Sequence, residues 1–157
     1  MSDFALQEGG IFVESWPTTG SNFEIFVFAT FAYESSVVSL QVYFCKYDTS
    51  TSHVVFHSGS PHSGFVWQKA WGLILDSANS QAFGAFDEYD MSTYSEELTG
   101  VFITSYSTDS STIVWANGYS DLSTLKSQFA GFSHYGNQLS LLVNYPDQYM
   151  ELILINS

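Results

Sequence analysis

The amino-acid sequence predicts an all-β protein, an antiparallel β-sandwich, and three observations carry that prediction. Short apolar and aromatic runs alternate with clusters of Ser, Thr, Asp, Asn and Gly along the whole chain, which is the pattern of strands and turns. Phe, Trp and Tyr make up 18% of the 157 residues, and ring side chains favour half-buried pleated surfaces. The third observation is an internal repeat: features recur in the same order from Gly10, Gly72 and Gly131. The chain thus reads as about two and a half copies of a roughly 60-residue unit, within a single domain over residues 1–157.

The copy over residues 72–130 is the most complete. Gly72-Leu73-Ile74-Leu75 opens it, residues 76–80 make a polar turn, and Phe83-Gly84-Ala85-Phe86 leads into the acidic, aromatic corner Asp87-Glu88-Tyr89-Asp90. A hairpin follows, residues 101–106 and 112–116 about a Ser/Thr/Asp turn, closed by Asn117-Gly118.

In the first copy, residues 11–16 form an apolar strand that stops at Pro17-Thr18-Thr19-Gly20. Residues 23–33 are apolar on both parities, the mark of a strand covered on both faces, and so belong in the centre of a sheet. Residues 37–47 make the next strand. The run Asp48-Thr49-Ser50-Thr51-Ser52 is a turn whose side chains bond their own backbone, and residues 53–57 return as a short strand. The loop Ser58-Gly59-Ser60-Pro61-His62-Ser63-Gly64 breaks both periodicities, and order resumes over residues 65–70. Helical spacing occurs only at residues 92–98 and 120–129, read as short turns of helix within connections. The third copy supplies strands at residues 138–144 and 149–155 around Tyr145-Pro146-Asp147-Gln148, and lacks a final hairpin strand.

Charge narrows the partners. With 3 Lys and Arg against 16 Asp and Glu, the net charge of −13 repels phosphate backbones and excludes nucleic acid. No apolar run approaches the roughly 20 residues of a transmembrane helix, so no membrane-spanning segment is expected. The first nine residues carry neither a basic region nor an apolar core, so cytoplasmic synthesis without a signal peptide is expected, with non-classical release left open. The lone Cys45 sits in an apolar run and reads as a buried thiol.

Catalytic and metal signatures are missing. His53 and His57 share a strand face, but with His62 and His134 they have no cysteine pair or third nearby ligand to complete a shell. No Gly-x-Ser-x-Gly elbow is present, no glycine loop cradles phosphate, and Asp87-Glu88-Tyr89-Asp90 with Glu96 and Glu97 lacks the spacing of a calcium loop. The expectation is a non-enzymatic protein with no cofactor and no metal.

What remains is the repeated corner, Phe31-Ala32-Tyr33-Glu34, Phe86-Asp87-Glu88-Tyr89-Asp90 and Tyr145-Pro146-Asp147-Gln148-Tyr149. Aromatic faces pack on the apolar face of a sugar ring, and neighbouring acids and amides accept from its hydroxyls. The candidate ligand-binding residues are therefore Tyr33, Glu34, Asp87, Tyr89, Asp90, Tyr145, Asp147 and Tyr149. The same rings also suit the edge of a core. Trp67 and Trp71, flanking Gln68-Lys69-Ala70, read as an exposed platform, and Trp115 as a buried strand residue.

The order Trp115-Ala116-Asn117-Gly118, Ala130-Gly131-Phe132, Gly136-Asn137-Gln138-Leu139-Ser140-Leu141-Leu142-Val143, a tyrosine corner and Glu151-Leu152-Ile153-Leu154-Ile155 resembles the β-sandwich of fungal fruit-body lectins and actinoporin-like cytolysins. In the cytolysins the comparable corner contacts phosphocholine, and here it is Tyr145-Pro146-Asp147-Gln148-Tyr149. The resemblance spans roughly residues 38–156 and departs from the pore formers, which carry an amphipathic N-terminal helix, a tryptophan-rich corner and positive charge. It implies the lectin branch, a carbohydrate-binding protein that takes a glycan or another neutral small ligand. The alternatives are a self-assembling structural subunit, a homo-oligomer completed by pairing at the free edge strand, and a membrane-headgroup binder.

Overall fold

The computed structural model describes residues 4–17, 22–34, 38–51, 53–58, 66–90, 97–110, 112–119, 128–145 and 149–156. Eleven strands follow one another: β1 (Phe4–Pro17), β2 (Phe23–Glu34), β3 (Val38–Asp48), β4 (His53–Ser58), β5 (Val66–Asp76), β6 (Gln81–Asp90), β7 (Glu97–Ser107), β8 (Ile113–Tyr119), β9 (Gln128–Tyr135), β10 (Gln138–Tyr145) and β11 (Tyr149–Asn156). The protein is an all-β sandwich. One sheet runs β1-β2-β3-β5-β6-β7-β8 with β4 paired to β3, and a second runs β11-β10-β9. Neighbours are antiparallel except β3 and β5, which meet at a single parallel bridge between Leu40 and Trp67.

That bridge marks a fork. Beyond it, the free side of β3 pairs with β4 from Phe44 to Asp48, so β5 is released to fold β5–β8 back over β1–β3. Side chains stitch the fork where backbone ladders stop. Thr30 Oγ1 accepts from Ala70 N at 2.8 Å, Gln68 Oε1 accepts from Val42 N at 3.2 Å, and Gln68 Nε2 donates to Glu88 at 2.9 Å. These groups are buried, where an unpaired polar atom costs about 1–3 kcal/mol.

The result is three stacked layers. Between β1–β3 and β5–β7 lie Phe26, Phe28, Val42, Phe44, Leu73, Phe86 and Tyr106. Between β6–β7 and β10 lie Phe83, Ala85, Val101, Ile103, Leu139, Leu141 and Val143. The alternation of a strand sends Ala82, Gly84 and Phe86 to one layer and Phe83 and Ala85 to the other, so β6 is covered on both faces, as is its neighbour β7, with Tyr106 in one layer and Val101 and Ile103 in the other. Sequence pattern assigned that place to residues 23–33. In the structure β2 is flanked in its sheet by β1 and β3, but its large core side chains are Phe26 and Phe28, with Thr30 beside them; on the opposite parity Ala29 is buried among its neighbours, while Phe23, Ile25, Val27 and Phe31 are half-buried or exposed. The cause lies in small residues, because Ala82, Gly84 and Ala85 let β6 approach both neighbouring layers.

Register irregularities recur at corresponding places. The first strands of the three meanders slip at Leu6/Ile11, at Ala70/Gly72 and opposite Leu142/Val143, beside Gly10, Gly72 and Gly131. The hairpins β3–β4 and β7–β8 slip at Lys46/Tyr47 and Ser105/Tyr106. At the tight β9–β10 turn Gly136 has φ +60, a left-handed conformation in which glycine carries no Cβ penalty. The expected helical turns at 92–98 and 120–129 lie mostly outside the described residues; their described ends, Leu98 and Phe129, belong to strands β7 and β9.

Candidate functional site

The three aromatic corners fall at the β2–β3, β6–β7 and β10–β11 connections, between the second and third strand of each meander. The structure places their residues differently. Tyr33 lies opposite Phe4 and Ser39 and Glu34 opposite Val38; Asp90 lies opposite Val66 and Glu97. The side chains of these three, and the whole of Asp147, are outside the described residues. Tyr89 is half-buried, across from Trp67 and Leu98. Tyr145 and Tyr149 come together on one hairpin with ring centroids 4.8 Å apart. Tyr145 is buried and donates its hydroxyl to Glu151 at 3.1 Å, while Tyr149 stays exposed.

Asp87 is turned inward. Its carboxylate accepts from Trp71 Nε1 at 2.7 Å and from Phe129 N at 3.1 Å, joining β5, β6 and β9. Burial pushes its pKa up to about 6, against the lowering effect of those two hydrogen bonds and of Lys69. A buried carboxylate disfavours its own ionised form, and here that group closes the middle layer onto the third. Trp71 is correspondingly no exposed platform: it is half-buried, stacks on Phe129 at 6.3 Å with an interplanar angle of 6°, and has Lys69 Nζ 4.8 Å from its ring. Trp67 and Trp115 are half-buried too, and Trp115 packs beside Phe83.

A cleft of about 370 Å³ opens elsewhere, between the end of β1 and the end of β5. Glu14, Ser15, Trp16, Leu73, Ile74, Leu75 and Ser77 line it. Trp16 is held in place from behind. Its Nε1 donates to Glu24 Oε2 at 2.6 Å and its ring meets Phe26 edge-on at 4.7 Å. Glu24 is in turn fixed by Lys46 Nζ at 2.7 Å, which also donates to the Thr108 carbonyl at 3.0 Å. Three strands, β1 to β3, and the β7–β8 turn thereby set the orientation of one indole. The exposed Glu14 and Ser77 add a carboxylate and a hydroxyl to the lining; Ser15 borders the cleft as well, but strand alternation sends its side chain to the opposite face of the sheet from Trp16. Sequence reading passed over this site because its walls are some 60 residues apart in the chain; the local signal is Glu14-Ser15-Trp16, polar groups around a ring at a strand end.

Among the described residues no three His, Cys, Asp or Glu side chains converge as metal ligands. His134 Nε2 sits 3.6 Å from Asp76 Oδ2. The Asp76 carboxylate already accepts from Ala78 N, Asn79 N and Asn79 Nδ2, so it acts as the cap of the β5–β6 turn. Cys45 is half-buried, and burial raises its thiol pKa. No helix among the described residues is long and apolar enough to cross a membrane. No protein family matches the chain, and no curated protein or solved structure is significantly similar to it.

Proposed function

We propose that the chain is a non-enzymatic, carbohydrate-binding β-sandwich protein of lectin type that takes a neutral sugar in the β1/β5 cleft. The observation that carries this reading is the immobilised Trp16 beside Glu14 and Ser77 in a space of about 370 Å³. The volume lies at the lower end of the roughly 300–1,000 Å³ of ligand sites, a size for one or two sugar rings. The indole offers a flat apolar surface for the C–H face of a ring, the carboxylate accepts from vicinal hydroxyls, and the Ser77 hydroxyl does either. A locked aromatic loses little entropy on binding. The acidic surface selects against phosphorylated and sulfated sugars. Glycosidic hydrolysis uses two carboxyl groups flanking the bond, whereas among the described residues Glu14 is the one carboxylate lining this cleft and Glu24 is engaged by Trp16 and Lys46.

Of the corner residues, Tyr149 with Tyr145 retains an exposed ring suited to a second sugar contact. A glycan array followed by titration calorimetry separates the two locations. Glu14→Gln should weaken binding by about 10-fold or more, the loss of a charge-assisted hydrogen bond worth roughly 1.5–3 kcal/mol, and Tyr149→Ala should leave the principal affinity intact. Failure to bind any neutral glycan would end this reading, and loss on Tyr149→Ala alone would return the site to the corners.

A further inference from the structure

Strand β2 carries large apolar side chains on both faces, yet the folded chain covers only one of them. On the outer face Ile11, Val13 and Ser15 of β1 lie beside Ala29, Val27 and Ile25 of β2, which lie beside Tyr43, Cys45 and Tyr47 of β3, and Tyr47 lies beside Val54 of β4. Ile11, Val13 and Val54 are 52%, 57% and 57% exposed. None of the described side chains on this face is charged: Glu14, Glu24, Lys46 and Asp48 all occupy the alternate positions. On a chain of net charge −13, an apolar, uncharged sheet face of this breadth marks a contact surface.

We infer that the outer face of β1–β4 is the contact surface of a two-fold dimer, in which two copies of the chain lay this face against each other. Three arguments select a second copy. First, what covers a flat, twisted sheet inside this molecule is another sheet of the same hand, twice over, and sheets of equal twist pack with their strands within about 30° of alignment. Second, four strands about 4.8 Å apart and a length of about 3.3 Å per residue over Phe23–Phe31 give a face of roughly 19 by 30 Å. Two such faces remove on the order of 1,100 Å², just above the roughly 1,000 Å² a specific interface needs. Third, the absence of charge keeps like-charge repulsion out of the contact, so the acidic surroundings act only across screened distance. The same face meeting itself closes a two-fold pair and exposes no further apolar sheet for growth. The opposite end of the stack is a poorer candidate, because across it only Leu152 of β11 meets an apolar partner, Leu142, while Leu154 and Met150 lie beside Ser140 and Asn144 of β10. The dimer stands or falls independently of the sugar cleft.

Sedimentation equilibrium of the full chain over roughly 1–200 µM tests the inference, a range that brackets weak and moderately tight dimers. The expected result is a monomer–dimer equilibrium that Val13→Lys weakens at least 10-fold, with an unchanged circular dichroism spectrum. Because lysine reduces the net charge, relief of general repulsion would act in the opposite direction. Leu152→Lys, equally exposed on β11, should leave the dimer intact. In the wild type, alkylation of Cys45 should slow as concentration rises through the dissociation constant, a readout that needs no substitution. A monomer at every concentration, a dimer indifferent to Val13→Lys, loss of the dimer on Leu152→Lys alone, concentration-independent alkylation or open-ended polymers would each overturn it.

Discussion

Replacing Gly84 with alanine probes the closest approach between the first and middle layers. A Cβ built at Gly84 would sit 2.6 Å from both Cε2 and Cζ of Phe28 and 2.9 Å from its Cδ2, where carbon atoms prefer about 3.5–4.0 Å. The ring must therefore retreat by about 1 Å. It has nowhere to go, since Phe28 is fully buried with Tyr106 at 6.1 Å and Phe86 at 6.4 Å. Overpacking a filled core costs about 1–3 kcal/mol. Against this, alanine stiffens the unfolded chain and recovers about 0.4–1 kcal/mol, so a net loss of roughly 1–2 kcal/mol is expected. Urea unfolding of Gly84→Ala beside Gly131→Ala isolates the clash, because nothing lies within 4 Å of a Cβ at Gly131. Adding Phe28→Leu to Gly84→Ala should show a favourable coupling above about 0.5 kcal/mol. Equal stability of the two alanine variants, or additive behaviour of the pair, would refute the layer contact.

Asp87 makes stability depend on acidity. Its folded pKa of about 6 lies above the ordinary 3.8, so between those values the folded state binds more protons than the unfolded one, and this group's contribution falls as pH rises through the window. The loss amounts to roughly 2–3 kcal/mol between about pH 4 and 6; thermal melts of the wild type should decline more steeply there than those of Asp87→Asn. Ser80, at φ 53 in the β5–β6 turn, holds a left-handed conformation that strains a residue with a Cβ by about 1 kcal/mol. Ser80→Gly should raise the unfolding free energy by about 0.5–1 kcal/mol, measured by denaturant titration.

Strands and turns were legible in the sequence because alternation and turn chemistry are local. Asp48 accepts from Ser50 N at 2.7 Å, as the Asp-Thr-Ser run predicts, whereas the hairpin that the Gly136-Asn137 turn makes of β9 and β10 was not read. Layering was less visible. Bulk hydrophobicity singled out the Phe-rich β2, whereas the doubly covered strands are β6 and β7; the alanines and glycine of β6 weigh little on a hydropathy scale but admit two neighbouring layers. The corner at residues 86–90 was recognised as unusual for the right residues, but nothing local announces that Asp87 turns in toward Trp71 and Phe129. The cleft and the fork join segments far apart in the chain, and periodicity is blind to such pairings. The apolar parity on both faces of β2 was real, and the folded monomer leaves one of those faces open.

Crystals of the full chain soaked in a mixture of neutral mono- and disaccharides examine the sugar cleft without any substitution. Electron density for a ring lying flat on the Trp16 indole, with hydroxyls within hydrogen-bond distance of Glu14 and of Ser77, is the predicted result. Sugar density located only at the Tyr145–Tyr149 hairpin, or an empty cleft at saturating sugar in crystals where no neighbouring molecule blocks it, would contradict it.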